Sequence, residues 1–419
     1  MTTATQKIPS GYKQTEIGMI PADWDVKKLG DLGEIKMCRR IFNHETKDVG
    51  IIPFYKIGTF GKEADAYIPQ DLYDNYRHRF SFPKKGDVLI SAAGTIGRTI
   101  VYDGIPAYFQ DSNIVWIDNN EELISNGYLY YVFQIVKYNT EGGTIQRLYN
   151  SILKSTKFIC PTKPQQTAIV SILSDTDALI TKTEKLIQKK KNIKQGVMQE
   201  LLSGRNRLLG FSGEWDAKLL PEISWFQEGP GVRTSQFTPT GIKLLNGTNI
   251  YKGKLILDST NRFISEREAF GPYSHFLVDD GDILIASSGI TIDKFEEKIS
   301  FAKKEDLPLC MNTSTIRFKV KGENIDALFL YYFLMSKKFK DQIGAWATGS
   351  AQLNFGPSHL DKIEIYLPKE KAEQTAIATI LFDIDAEIKK LESQLTKYQN
   401  IKQGMMQTLL TGKIRLLTK

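Results

Sequence analysis

Residues 166–209 read QTAIVSILSDTDALITKTEKLIQKKKNIKQGVMQELLSGRNRLL, and residues 374–417 read QTAIATILFDIDAEIKKLESQLTKYQNIKQGMMQTLLTGKIRLL. The two segments match at 26 of 44 positions over a constant offset of 208. Average residue usage would give about three matches by chance. No insertion or deletion interrupts the match, so the chain contains a duplication. An internal repeat decides an architecture before any single element does.

The repeated segment has the period of a long helix. In the second copy apolar residues fall at Ile377, Leu381, Ile384, Ile388, Leu391, Leu395, Tyr398, Met405 and Leu409. Alternating steps of four and three make a heptad seam. Lys402 breaks it, and Ile401 beside it is expected to fill the gap. The first copy keeps the register with Ile169, Leu173, Thr176, Ile180, Thr183, Ile187, Val197 and Leu201, but carries Lys190 and Lys194 on seam positions. Pro161 and Pro368 stand just before the helices. Gly204 and Gly412 stand where a helix end needs positive φ. Each helix is expected to span about 36 residues, roughly 50–55 Å. A shared seam makes them an antiparallel pair, and the C-terminus then returns to the first globular region.

Upstream of each copy the likeness weakens and its offset drifts. Trp24-Asp25 answers Trp215-Asp216, GDVLI (86–90) answers GDILI (281–285), and Leu129-Tyr130-Tyr131 answers Leu330-Tyr331-Tyr332. Both regions hold β-type runs: GDVLISAAG (86–94), TIVYDG (99–104) and SNIVWI (112–117), then GDILIASSG (281–289) and TSTIRFKV (313–320). A helical stretch follows in each, at 127–138 and 326–340. The expected fold class is α+β: two α/β domains with twisted sheets, separated by two long antiparallel coiled-coil helices, with internal pseudo-twofold duplication. The expected boundaries are 1–160, 161–209, 210–367 and 368–419. A chain of 419 residues has room for such a plan.

Candidate reading loops combine Arg, Lys, Asn and Gln with Gly and aromatics. In the first region they supply Arg39, Arg40, Asn43, Arg77, Arg79, Thr95, Arg98, Gln146 and Arg147. In the second they supply Arg233, Thr234, Gln236, Asn246, Asn249, Lys252 and Gln352. Arg matches the guanine edge and Asn or Gln the adenine edge in the major groove, while Lys, Ser and Gly suit phosphates. A second surface is repeated intact: Asn192, Ile193, Lys194, Gln195 and Gly196 recur as Asn400, Ile401, Lys402, Gln403 and Gly404. Much of it lies off the seam, and a glycine inside a helix costs about 1 kcal/mol relative to alanine. Two equal docking sites for two copies of one partner account for its retention.

The remaining features exclude more than they assert. The net charge of +7 and pI near 8.9 suit a polyanionic partner such as double-stranded DNA. Cys38, Cys160 and Cys310 lie far apart, form no disulfide framework and fit a reducing cytoplasm. His44, His78, His275 and His359 show no metal-ligand spacing. The start of the chain lacks the apolar core of a signal peptide, and no apolar run approaches the ~20 residues that span a bilayer. The glycine motif and Asn/Asp-Pro-Pro-aromatic site of a methyltransferase are absent, as is GxxxxGK[ST]. Glu387-Ile388-Lys389 reads as a solvated helix face. Neither catalysis nor a cofactor is expected.

YKQTEIGMIPADW (12–24), GDVLISAAGTIG (86–97) and IKQGVMQELLSG (193–204) together resemble the specificity subunits of type I restriction–modification systems, over essentially the whole chain. The resemblance implies two target recognition domains, at about 1–160 and 210–367, each reading half of a split DNA site. It implies that Gln166–Leu202 and Gln374–Leu410 set the spacing and bind two methyltransferase subunits, through which restriction subunits join. One departure is GITIDK (289–294) where the first domain has GTIGR (94–98), which leaves open whether the loop does one job in both. The alternatives are a stand-alone sequence-specific DNA-binding protein or the specificity subunit of a related methyltransferase–nuclease system.

Overall fold

A computed structural model describes residues 8–138, 147–258, 260–346 and 352–416. The chain forms two compact units, Met1–Glu184 with Gln394–Lys419, and Lys185–Ser393. Each unit therefore takes one globular region and a stretch of both long helices.

In the first unit a four-stranded antiparallel sheet runs in the order Ile35–Lys36, Ile114–Ile117, Val88–Ser91, Thr99–Val101. IVWI and VLIS are buried at every position, as central strands covered on both faces must be. One face packs on the helix Asn126–Ile135 and the start of the first long helix. The other packs on a cluster that includes Phe60, Tyr73, Tyr108 and Trp116. A three-stranded sheet of Tyr67–Ile68, Ile52–Tyr55 and Tyr108–Phe109 completes the domain, its last pair parallel.

The second unit repeats this plan. Ser224–Glu228, Thr315–Val320, Ile283–Ala286 and Ile299–Phe301 form the four-stranded sheet. Phe263–Ile264, Ile242–Leu245 and Leu309–Met311 form the three-stranded one, again with a parallel last pair. The single helix expected over 326–340 is two, Ala327–Met335 and Lys337–Trp346. Ser336 turns extended between them, and its Oγ accepts the Phe339 N–H to start the second helix.

The long helices span Lys163–Leu201 and Lys371–Leu409, 39 residues each. Within the first unit, Ile169 and Leu173 of the first helix share a core with Met406 and Leu409 of the second. Within the second unit, Met198 and Leu201 share one with Ile377 and Leu381. The start of one helix meets the end of the other in both units, so the pairing is antiparallel and the C-terminal segment packs on the first domain. Gly204 and Gly412 take φ of +70° and +71°. Gly412 sits against Pro21 and Trp24, and its carbonyl accepts from the Tyr12 hydroxyl at 3.1 Å.

The helix starts are tied down identically. Gln166 donates through Nε2 to the Leu123 and Pro161 carbonyls and accepts from the Ser125 N–H. Gln374 does the same with Asn324, Pro368 and Asp326. Ser125 and Asp326 in turn cap the helices that begin at Asn126 and Ala327. A buried side-chain amide is costly unless its hydrogen bonds are made, and here both ends are satisfied.

The seam differs from expectation at Lys402. Ile401 does not fill the gap: it is 42% exposed, whereas the Lys402 side chain is 17% exposed. The lysine turns inward because Asp177 waits there, 2.7 Å from its Nζ.

Candidate nucleic-acid interface

Arg39 and Arg40 leave the sheet after Ile35–Lys36, and Arg77 and Arg79 close the helix Gln70–Arg79. Cations suit that end of a helix because its carbonyls are unpaired. Phe80 gathers them. The Arg39 guanidinium lies 5.3 Å and the Arg79 guanidinium 5.7 Å from its ring centroid. Arg77 covers Tyr73 and Phe82 at 5.9 and 5.7 Å. Arg40 donates through Nε to Asp111 Oδ2 at 2.9 Å. All four arginines are exposed, and among the described residues only Arg40 has a carboxylate partner. Beside Arg40, Asn43 opens the exposed turn Asn43–Glu45, where Phe42 and His44 stack at 5.8 Å. This cluster is a cationic, aromatic surface suited to phosphates and base edges.

The glycine loop of the first domain turns on Gly94 and Gly97, both at positive φ. Ser91 Oγ donates to the Thr95 carbonyl and accepts the Arg98 N–H, which braces the loop from below. Thr95 and Arg147 are exposed, and Arg147 is bridged to Ala93. Arg98 is half-buried and donates to the Phe60 carbonyl at 2.9 Å, so it holds the neighbouring loop. Gln146 lies outside the described residues.

The corresponding loop of the second domain is anchored in the same way. Leu148 donates to the Ala92 carbonyl at 2.8 Å in the first domain, and Phe355 to the Ser287 carbonyl at 2.9 Å in the second. Gln352 is exposed and pairs with Thr291, while Asn354 Oδ1 accepts the Gly289 N–H. The GD turns are shared too. Asp87 and Asp282 each accept the backbone N–H three residues earlier, and burial pushes both carboxyls above the usual range.

The other candidate residues of the second domain sit on separate turns and a hairpin. Arg233 and Thr234 are exposed on the turn Thr234–Gln236. Lys252 is exposed at the tip of the hairpin Ile250–Tyr251/Lys254–Leu255, its Nζ 5.1 Å from the Tyr251 ring. Gln236 is engaged internally, donating to Glu268 at 2.9 Å and to the Tyr273 hydroxyl at 3.0 Å. Asn249 is 5% exposed, and its amide bonds the Asn246 N–H and the Ile256 carbonyl. Asn246 Oδ1 accepts from Asn312. These three amides shape their loops, so the base-edge role expected of Gln236 and Asn249 does not fit their placement.

On the long helices Asn192, Gln195 and Gly196, and Asn400, Gln403 and Gly404, are exposed, and both glycines face open space. Lys194 and Lys402 do not share that surface. Lys194 Nζ lies 2.7 Å from Asp385, which also accepts from the Tyr332 hydroxyl at 2.9 Å. Lys402 Nζ lies 2.7 Å from Asp177, which accepts from the Tyr131 hydroxyl at 2.9 Å. Burial, and then the adjacent aspartate, pushes both phenols far above their ordinary value, so they remain donors. Local sequence gave no sign of Phe80, Asp111 or the two tyrosines as partners. Asp111, for instance, is 71 positions from Arg40.

Among the described residues no group of His, Cys, Asp or Glu could hold a metal ion. No helix there is long and apolar enough to cross a membrane.

A family model for the type I restriction modification DNA specificity domain matches residues 21–195 and 213–400. A Haemophilus influenzae chain described as a type I restriction enzyme specificity subunit is 56% identical over 155 residues, covering 37% of this chain and 40% of that one. A type I restriction enzyme specificity subunit of Methanocaldococcus jannaschii is 27% identical over 97% of this chain and 96% of its own. Among solved structures, a type I restriction–modification S subunit from M. genitalium superposes with a TM-score of 0.56 at 16% identity, over 92% of this chain and 96% of that one. A chain from a structural study of complex assembly and conformational transition of the type I R-M system gives 0.55 at 14% identity, over 94% and 99%.

Proposed function

The chain belongs to the type I restriction modification DNA specificity family, and on that premise we propose that its two domains each read one half of a split DNA site for a restriction–modification complex. The reading domains are residues 1–160 and 210–367; the spacer and docking helices lie in 161–209 and 368–419. The single observation that carries this is the contrast within the duplication. The helix segments agree at 26 of 44 positions, while the exposed loops mounted on two equal sheets differ in length, charge and residue type. Two readers of different sequences on one repeated frame have this pattern.

In the first domain the Arg39/Arg40/Arg77/Arg79 cluster, with Asn43, Thr95 and Arg147, faces DNA. In the second, Arg233, Thr234, Lys252 and Gln352 do. The exposed strips Asn192/Gln195/Gly196 and Asn400/Gln403/Gly404 each receive one methyltransferase subunit, and restriction subunits join through those. The chain supplies specificity and no catalytic group. Methylome sequencing of cells carrying this chain with its methyltransferase tests the reading: a split motif supports it. Exchanging residues 210–367 for those of another family member should then change one half-site only, and a change in both would refute the modular assignment. Co-purification separates this reading from a stand-alone repressor, which would bind DNA tightly without a methyltransferase.

A further inference from the structure

In each reading domain one of the elements packed on the long helices is a helix that carries a buried tyrosine: Tyr131 on Asn126–Ile135 and Tyr332 on Ala327–Met335. That helix is fixed to the domain's own long helix at two places. Gln166 or Gln374 holds its N-terminal end, and Asp177 or Asp385 accepts its tyrosine hydroxyl. Both of these attachments are to the domain's own long helix, in addition to the core that the domain shares with both long helices near their ends. A polar attachment further along the pair comes from the other long helix. Lys402 or Lys194 pairs with the same aspartate, and its Nζ lies 5.7 Å from the Tyr131 ring or 5.5 Å from the Tyr332 ring.

A lysine on an apolar seam is an expensive way to fill it. Hydrophobic residues of similar size commonly match or exceed the stability of such ion pairs, whereas a polar group on a seam fixes one arrangement among several. Here the arrangement occurs twice, with Asp177 and Asp385, and Lys194 and Lys402, each 208 positions apart.

We infer that Tyr131/Asp177/Lys402 and Tyr332/Asp385/Lys194 are positioning residues that fix the angle of each reading domain on its helix pair, and so set how strictly the gap between half-sites is enforced. The inference rests on the specificity reading above. Without this attachment the domain's angle on its helices is held less tightly, and DNA with a gap one base pair longer or shorter becomes acceptable. The loops that read bases are untouched, so the half-sites stay the same.

The test uses the full chain with Lys194→Met and Asp385→Asn, which leaves Tyr332 an acceptor and no unpaired buried charge. Lys194→Arg is the conservative control, and Tyr332→Phe, which keeps the ring and deletes only the hydroxyl, is a second variant should the first fold poorly. Spin labels at Lys338 and Lys389, both exposed and both in the second unit, report the domain–helix distance. The expected result is a broadened distance distribution, restored by the arginine control, together with about a tenfold rise in methylation at sites with an altered gap. A distribution as narrow as the unsubstituted chain's, with unchanged gap stringency, would overturn the inference. The label distances judge it without DNA. A chain whose unsubstituted form yields no split motif would defeat the specificity reading instead, and the two failures are separable.

Discussion

Arg40 and Arg79 share one surface but keep different company. Asp111 holds Arg40 through Nε, and we propose that its terminal nitrogens meet a base edge. Arg79 lies against Phe80 and has no carboxylate partner among the described residues. Arg79→Ala should therefore weaken binding to all DNA alike and lower the slope of log K against log salt by about 0.9. Arg40→Ala should cost about 1–3 kcal/mol and relax discrimination at one base position. Binding titrations over a salt series on matched and mismatched sites check both. Burial pushes the Cys38 and Cys310 thiols up to about 12. Thiolate is the reactive form, so iodoacetamide should leave both untouched near neutral pH and react only as pH approaches that value or the chain unfolds. Mass spectrometry before and after denaturation reads this. The arginines of the cluster were legible from residue type. Their neighbours were not, because Asp111 and Phe80 reach them only through tertiary folding. Lys194 and Lys402 misled in the other direction: recurrence in both copies looked like a shared surface, while the physical cause is a shared internal ion pair.

At the scale of elements the helices were the most readable part. Their heptad period, their preceding prolines and their terminal glycines are all local signals, and the 39-residue spans exceed the expected length by about one turn. The break at Ser336 was not visible, since an apolar run continues up to it and only the serine's own cap starts a new helix. Gln374→Ala would strip partners from the Asp326 N–H and the Pro368 and Asn324 carbonyls. Denaturant melts should show a loss of about 2–3 kcal/mol. The glycine after the second long helix and the glycines inside the helices give opposite signs. Alanine at Gly412 meets Pro21 at 2.4 Å and an unfavourable φ of +71°, so it should destabilise the chain. Alanine at Gly196 or Gly404 meets open space and should stabilise the helix by up to about 1 kcal/mol. If those glycines receive a methyltransferase subunit, the same substitutions should weaken its binding in co-purification. A gain in stability with unchanged binding would remove the glycines from the docking surface.

At the scale of the whole molecule the duplication was legible and most of its consequences followed. An α/β domain in each half was expected from the β-type runs, and an antiparallel helix pairing with a C-terminal segment returning to the first domain was expected from the shared seam of the repeated helices. The loops were legible only in part: GTIGR (94–98) could be set against GITIDK (289–294), while the drifting offset upstream of each helix copy hides how the others correspond. The backbone bonds of Leu148 to Ala92 and of Phe355 to Ser287, with the matching Asp87 and Asp282 turns, align them. We propose that helix length, not loop chemistry, sets the gap between two independently read half-sites. Removing one heptad from each helix, residues 181–187 and 392–398, spares Asp177, Lys194, Asp385 and Lys402. Methylome sequencing of cells carrying that variant with its methyltransferase is the direct measurement. Seven residues at 1.5 Å each, set against DNA at 3.4 Å per base pair, predict unchanged half-sites with a gap shortened by about three base pairs. Altered half-sites around an unchanged gap would contradict the claim.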